Sequence, residues 1–184
     1  MVIQNKCNFS CDLIFQCKDN EEFLNLFKIE KNDQIFQKHF WEEILICWIS
    51  IVILEKRSKY KNKICMENNF SLSLNFVDDE EISCINKKWL DKSGATDVLS
   101  FPILCENLPI QKLALVELGD IFISIERAFQ QSLDYEHSLQ SEMLFLASHG
   151  LLHLFGWEHD NQKQLDSMLN FQQYLISKST QNNN

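Results

Sequence analysis

The alternation of apolar and polar positions predicts a chain that mixes helices and strands. Between residues 36 and 57, apolar side chains recur at helical spacing and also occupy other faces, which predicts a helix buried on more than one side. Between residues 71 and 76, apolar and polar residues alternate, as in a half-buried strand. The other predicted elements are an edge strand at 13–15, a short helix at 78–88, strands at 96–101 and 121–125, and helices at 136–154 and 161–176.

The order of these elements predicts the fold class and the domain organisation. Strands precede most helices, which favours one α+β domain over repeated βαβ units. We expect a small mixed sheet packed with helices around the buried central helix at 36–57. A chain of 184 residues with 45% apolar residues has the size and core of one domain, here residues 1–184. Residues 1–35 form its poorly defined N-terminal part, and 177–184 are expected to fray.

Composition excludes several classes of function. The four glycines have no spacing that forms a phosphate-binding GxGxxG or GxxxxGK loop. The net charge of −9 gives no general attraction for nucleic acid, so an RNA partner requires a local basic patch. The segment 56–63, with five cations, is a candidate for that patch, and a solvated helix end is the alternative interpretation.

Cysteine usage and hydropathy bear on the compartment. Seven cysteines with no CxxC pair suggest neither a disulfide framework nor a zinc ribbon, and they fit a reduced, cytoplasmic setting. The roles of Cys7, Cys11 and Cys17 stay open. The longest apolar run, at 44–54, is shorter than the ~20 residues that span a bilayer, and no secretory signal is visible at the start. We therefore expect no membrane association.

Three histidines in the segment HGLLHLFGWEHD form the main candidate site. His149 and His153 are four residues apart, so on a helix they share one face and can bind one metal ion. Gly156 allows the helix to end and the chain to bring His159 back as a third ligand. Three neutral imidazoles suit zinc and leave a fourth position open for water, as in a catalytic, zincin-like centre.

The residue after the first histidine argues against a peptidase. The spacing matches that of the metzincin peptidases, but their general-base Glu is replaced here by Gly150. Another group must then work with the metal. The candidate catalytic residues are His149, as a ligand of the metal, with Glu158 and Asp160 as the nearest titratable groups. Either carboxylate could instead orient an imidazole or lie on the surface.

Three blocks of the sequence resemble one known family. HGLLHLFGWEHD is similar to the HGxLHLxGxDH signature of the YbeY endoribonucleases, the bacterial rRNA maturation factors. NKKWLDKSGATDVLSFP, at 86–102, and LGDIFIS, at 118–124, resemble the family's other two blocks in the same order. The resemblance is therefore specific over residues 86–160.

The resemblance implies a single-strand-specific, metal-dependent endoribonuclease that acts in 16S rRNA 3′ end maturation and 70S ribosome quality control. It implies one Zn²⁺ per subunit, held by His149, His153 and His159. The implied partners are single-stranded RNA, the 16S rRNA precursor, and the ribosome or ribosomal proteins. No DNA partner is implied.

The chain departs from the family pattern at two places. Trp89 and Leu90 stand where the family has Tyr-Arg, and Glu158 stands where it has Asp. The family's ribonuclease activity is tied to that Arg, whose charge would neutralise the phosphate. A lysine could replace it only imperfectly, because it lacks the bidentate fork of Arg. The candidate replacements are Lys87, Lys88 and Lys92.

Two tryptophans within the matched blocks offer RNA-stacking surfaces, namely Trp89 and Trp157. Core packing is the alternative for both. Two alternative functions also stay open. One is a ribosome-assembly factor that binds RNA but has lost most catalysis, as Leu90 suggests. The other, less favoured, is a metallopeptidase.

Overall fold

The computed structural model describes residues 9–16, 33–55, 64, 68–104 and 114–180. The chain forms a single small α+β domain, as predicted. The basic segment at 56–63, Cys7 and Cys17 lie outside the described residues. The elements are β1 (Phe9–Gln16), a 3₁₀ turn (Gln34–Phe36), α1 (Lys38–Leu54), β2 (Asn69–Val77), α2 (Asp79–Leu90), β3 (Val98–Pro102), β4 (Leu115–Ser124), α3 (Ile125–Asp134), α4 (Leu139–Leu154) and α5 (Gln162–Thr180).

The four described strands form one mixed sheet in the order β1-β2-β4-β3. Strand β2 is parallel to both β1 and β4, whereas β3 is antiparallel to β4. The edge strand predicted at 13–15 is therefore confirmed as part of β1. The predicted α+β class is confirmed, although the sheet contains one βαβ unit: β1 and β2 are parallel neighbours, which need a long crossover, and α1 lies between them.

One face of the sheet forms the main core with α1, α4 and α5. Alternating residues of β2, such as Phe70, Leu74 and Phe76, are fully buried there with Ile121 and Ile123 of β4. Helix α1 is buried as predicted, but α4 is the more central helix, since it packs against β3, β4, α3 and α5. A smaller cluster on the opposite face holds α2 against the sheet.

The sequence pattern missed one helix and part of one strand. Strand β4 begins at Leu115 rather than at 121, because a register shift opposite Ser71 and Ser73 interrupts its alternation. The helix predicted at 136–154 begins at Leu139, and α3 precedes it as a separate helix. Serine side chains cap both starts: Ser124 accepts from the Arg127 amide, and Ser138 accepts from the Ser141 amide.

The C-terminal helix is longer than predicted. Helix α5 continues to Thr180, so 177–180 are helical rather than frayed, and 181–184 lie outside the described residues. Leu175 is fully buried and its carbonyl accepts a hydrogen bond of 2.9 Å from the indole of Trp48 in α1. This contact fixes the last turns of α5 to the core. None of the described helices has the length and apolar character needed to cross a membrane.

Candidate metal centre

Helix α4 places two imidazoles on one face, as the four-residue spacing predicts. The rings of His149 and His153 have centroids 4.6 Å apart, and their Nε2 atoms are 3.0 Å apart. The opposite side of the helix packs into the core, where Leu151, Leu152 and Leu154 are fully buried. The helix is thereby held so that both rings lie at its less buried side.

The end of α4 turns the chain so that a third imidazole returns to the pair. Gly156 has a φ of 75°, its amide donates to the His153 carbonyl at 2.9 Å, and the Trp157 amide donates to the Leu152 carbonyl at 3.0 Å. These bonds form a Schellman motif, in which glycine takes the left-handed position. The His159 ring then lies 5.3 and 5.1 Å from the two other rings, and one ligand atom from each histidine lies within 4.8 Å of the others.

The loop that carries His159 is anchored by an aromatic contact. Trp157 is only 6% exposed and stacks on Phe171 of α5, with ring centroids 5.0 Å apart and planes inclined by 7°. Because Trp157, two residues before His159, is held in the core, the position of His159 is restricted before any metal binds. Trp157 is therefore a packing residue, not an exposed stacking surface.

Hydrogen bonds fix the tautomers of the two helical imidazoles. The fully buried Gln172 amide donates to the Phe145 carbonyl at 3.0 Å, so its oxygen is left to accept from His149 Nδ1 at 3.1 Å. His153 Nδ1 donates to the Trp157 carbonyl at 2.9 Å. With both protons on Nδ1, each Nε2 presents a lone pair to the other, which is the form that binds a metal.

Burial keeps these imidazoles neutral. The pKa of His153 is lowered to about 4, mainly by desolvation and secondly by the neighbouring His149. Desolvation also lowers the pKa of His149, against the opposing effect of its bond to Gln172. Near pH 7 a metal therefore displaces no proton from these two residues, and protons compete with it only under acidic conditions.

The donor set fits a metal ion. Two Nε2 lone pairs that face each other across 3.0 Å repel unless a cation lies between them. Two nitrogens bound tetrahedrally at Zn–N distances of 2.0–2.1 Å lie about 3.3 Å apart, close to this separation. The three-histidine cluster can therefore hold a metal ion with little movement of α4.

The metal cluster opens into a cleft of about 610 Å³. His149, His153 and Glu158 line it together with Leu90, Lys92 and strand β3. Asp160 is exposed and is not in the wall; its amide donates to the Gln164 side chain at the start of α5. The structure thus brings Glu158, and not Asp160, to the cavity beside the histidines.

The sequence interpretation missed a carboxylate in the same cleft. Asp97 lies in its wall and accepts hydrogen bonds from the Val98 amide at 2.8 Å and the Gln131 side chain at 3.0 Å. Burial alone would raise the pKa of Asp97, but these bonds and one from Thr96 outweigh it and lower the pKa. The position, one residue before β3, was visible within the matched block 86–102, but its burial was not.

The residues around Leu90, where the resembling family has Arg, have distinct environments. Leu90 is 45% exposed and lines the cleft together with Lys92. Lys87 forms an exposed ion pair with Asp91 at 2.6 Å, outside the cleft wall. Lys88 Nζ lies 5.3 Å from the ring centre of Trp89, which is 64% exposed. Lys92 is thus the candidate cation inside the cavity, and Trp89 is the exposed aromatic beside it.

Close packing explains the glycine that replaces a peptidase base. Gly150 is buried against β4, and a Cβ atom there would lie 2.8 Å from Ile121 Cγ2. The position therefore faces the sheet rather than the cleft. A Glu at 150 would place a charge in the core. Unless that charge were neutralised, it would cost roughly several kcal/mol of stability.

Comparison with known proteins gives one consistent result. A family model described as Endoribonuclease YbeY matches residues 28–180. The chain is 50% identical over 178 residues to the Endoribonuclease YbeY of Prochlorococcus marinus strain MIT 9515, covering 97% of this chain and 99% of that protein. It is 54% identical over 167 residues to that of Prochlorococcus marinus subsp. pastoris strain CCMP1986, covering 91% and 93%.

The solution structure of a protein from Thermotoga maritima aligns with a TM-score of 0.47 and 15% identity, over 94% of this chain and 93% of that one. The sequence matches span most of the chain and include all three histidines of the metal cluster. On that basis the chain belongs to the YbeY endoribonuclease family.

Proposed function

We propose that the protein is a zinc-dependent endoribonuclease that cleaves single-stranded RNA in 16S rRNA 3′ end maturation and in 70S ribosome quality control. The 16S rRNA precursor and ribosomal proteins are its proposed partners, in the cytoplasm. The observation that supports this most is the pair of unprotonated Nε2 atoms, 3.0 Å apart, at an open cleft with His159 beside them. Neutral imidazoles at this spacing favour zinc over Mg²⁺ or Ca²⁺, which prefer oxygen ligands.

His149, His153 and His159 would hold the zinc, which supplies Lewis acidity toward a phosphate oxygen and makes water more acidic. Glu158, in the cleft wall, is the proposed acceptor for the proton of the attacking water. Lys92 would lie near the charge that develops on the phosphate oxygens. Asp97 already receives three hydrogen bonds, so it is proposed to hold Thr96 and β3 in place rather than to move a proton.

Trp89 is the proposed surface for an unpaired base. Its ring is 64% exposed and packs against Phe101 with a centroid distance of 6.2 Å, while its neighbour Leu90 lines the cleft. Aromatic rings bind single-stranded bases by stacking, whereas bases in a duplex are already stacked on each other. This arrangement supports a preference for single-stranded substrates.

The proposed function is tested with a labelled single-stranded RNA that carries the 16S 3′ precursor sequence. The zinc-loaded protein should cut it endonucleolytically, should leave the same sequence intact in a duplex, and should not cut denatured casein. His153→Ala, prepared identically, reveals contaminating nuclease. Cleavage by both preparations, or of casein by the parent alone, would contradict the proposal.

A second candidate function follows from Leu90, which lines the cleft where the resembling family has Arg. In this case the protein is an assembly factor that binds RNA with strong salt dependence but cleaves it weakly or not at all. If the zinc-loaded parent binds the RNA without cutting it, Leu90→Arg decides: cleavage gained by that variant identifies the missing guanidinium as the reason. The metallopeptidase alternative has no support at position 150, where Gly packs on Ile121.

The cleft position of Lys92 leads to a prediction with a matched control. We expect Lys92→Ala to lower kcat/KM for RNA by about 10- to 100-fold, because one cation that faces the phosphate is lost. Lys87→Ala removes an equal charge outside the cleft wall, in an exposed ion pair with Asp91, and should change kcat/KM by less than about twofold. Equal losses in the two variants would indicate a general charge effect instead of a local one.

A further inference from the structure

The outer edge of strand β3 forms one wall of the cleft. Five consecutive residues, 96–100, line the cavity together with Pro102. Successive side chains of a strand point to opposite faces of the sheet. Consecutive residues can therefore share one cavity only if it runs along the edge of the strand, where backbone groups are exposed. On the far side of β3, the described part of the chain supplies no further strand.

The register of β3 identifies which backbone groups face the cleft. The Ser124 amide donates to the Asp97 carbonyl at 2.9 Å, and the Ile103 amide donates to the Leu118 carbonyl at 3.1 Å. From the first of these hydrogen bonds to the second, the odd-numbered residues of β3 therefore direct their amides and carbonyls toward β4. The groups of Val98, Ser100 and Pro102 point outward.

This edge offers a single amide donor among several carbonyl acceptors. The Val98 amide is bonded to the Asp97 carboxylate at 2.8 Å, and Pro102 has no amide proton. The Ser100 N–H is therefore the remaining donor. The carbonyls of Val98, Ser100 and Pro102 are the acceptors that point outward. A peptide strand needs repeated donors and acceptors to continue a ladder, so this edge is unsuited to a peptide.

We propose that the β3 edge binds the ribose-phosphate backbone of the RNA next to the three histidines, an inference that rests on the proposed function. The Ser100 N–H donates to a phosphate oxygen, as backbone amides commonly do in nucleic-acid complexes. The outward carbonyls accept from ribose 2′-hydroxyls, which DNA lacks. Attack by water on phosphorus does not require a 2′-hydroxyl, so preference for RNA has to come from binding, and these carbonyls supply it.

The donor is tested by removing one backbone proton. Ser100→Pro deletes the outward N–H, and Ser100→Ala deletes the same hydroxyl but keeps the N–H. Proline is tolerated on edge strands where the amide faces outward, and Pro102 already stands at such a position. Relative to Ser100→Ala, we expect Ser100→Pro to raise KM for single-stranded RNA about tenfold with little change in kcat. Equal zinc content and melting temperature establish that both variants are folded.

The acceptors are tested on the unaltered, zinc-loaded protein. Single-stranded oligonucleotides carry one 2′-deoxy or one 2′-fluoro nucleotide, scanned across the cut site, and binding is measured by fluorescence anisotropy. Because 2′-fluorine cannot donate a hydrogen bond, both substitutions should weaken binding about fivefold or more at the same one or two positions. An all-deoxy strand that binds as tightly as the RNA would overturn the proposal.

Failure of the inference is distinct from failure of the proposed function. Cleavage of unmodified RNA by the parent tests the function by itself. With that cleavage present, equal KM values for Ser100→Pro and Ser100→Ala would overturn the edge proposal alone. Competition by unfolded casein against RNA in Ser100→Ala, but not in Ser100→Pro, would assign the edge to a peptide strand and would also overturn it.

Discussion

Replacement of His153 by Ala is expected to abolish stoichiometric zinc and to lower RNA cleavage by about three orders of magnitude or more. The variant removes the Nε2 that lies 3.0 Å from its partner on His149. Two remaining imidazoles form a much weaker site, since structural and catalytic zinc centres use at least three protein ligands. Elemental analysis after dialysis measures the zinc, and the 16S precursor assay measures the cleavage.

His39→Ala is the matched control for this prediction. His39 lies on α1 with its side chain 80% exposed, and its Nε2 is 3.0 Å from Glu43 on the next turn. An exposed pair of this kind contributes little to stability, so zinc content and cleavage should match those of the parent. Full zinc retention in His153→Ala would reject the three-histidine site, whereas loss of zinc in both variants would indicate a nonspecific effect on folding.

The periodic parts of the fold could be predicted because buried apolar positions recur at regular intervals along each element. Strand β2 alternates, and helix α1 repeats at helical spacing, since each packs one kind of residue against the core. Helix α3 could not be found in this way. It follows β4 without a loop, and its start is marked locally by the Ser124 side chain that caps it. The parallel pairing of β1 with β2 is likewise a tertiary property that no local pattern encodes.

The histidine cluster was predictable because its three members are close in sequence. A four-residue helical spacing and one glycine are enough to bring the rings together, and the Schellman motif at Gly156 does so in the structure. The remainder of the cleft comes from distant segments. Asp97, Leu90 and the β3 edge reach the histidines only because α4 packs beneath β3. Glu158 lines the cavity and Asp160 does not, because the Asp160 backbone is bonded to the start of α5. The sequence pattern did not show that bond.

Gly119→Ala is expected to be the most destabilising single-methyl substitution considered for this fold, because it would separate β3 from β4 beside the cleft. Gly119 has a φ of 134° and pairs with Pro102, and a Cβ atom there would overlap the carbonyl oxygen of Phe101 and approach Leu154 Cδ2 to 3.1 Å. Strain and overlap each cost about 1 to 3 kcal/mol, a large part of the stability of a domain of this size. Thermal and urea unfolding measure the loss.

Gly94→Ala separates backbone strain from overlap in this prediction. Gly94 also has a positive φ, of 93°, but a Cβ atom there would have no neighbour within 4 Å. It should therefore show the strain cost alone, and its melting temperature should lie roughly 3 to 10 °C above that of Gly119→Ala. Equal losses in the two variants would show that β3 shifts to relieve the contact. In that case the β3 edge would be adjustable rather than fixed beside the three histidines.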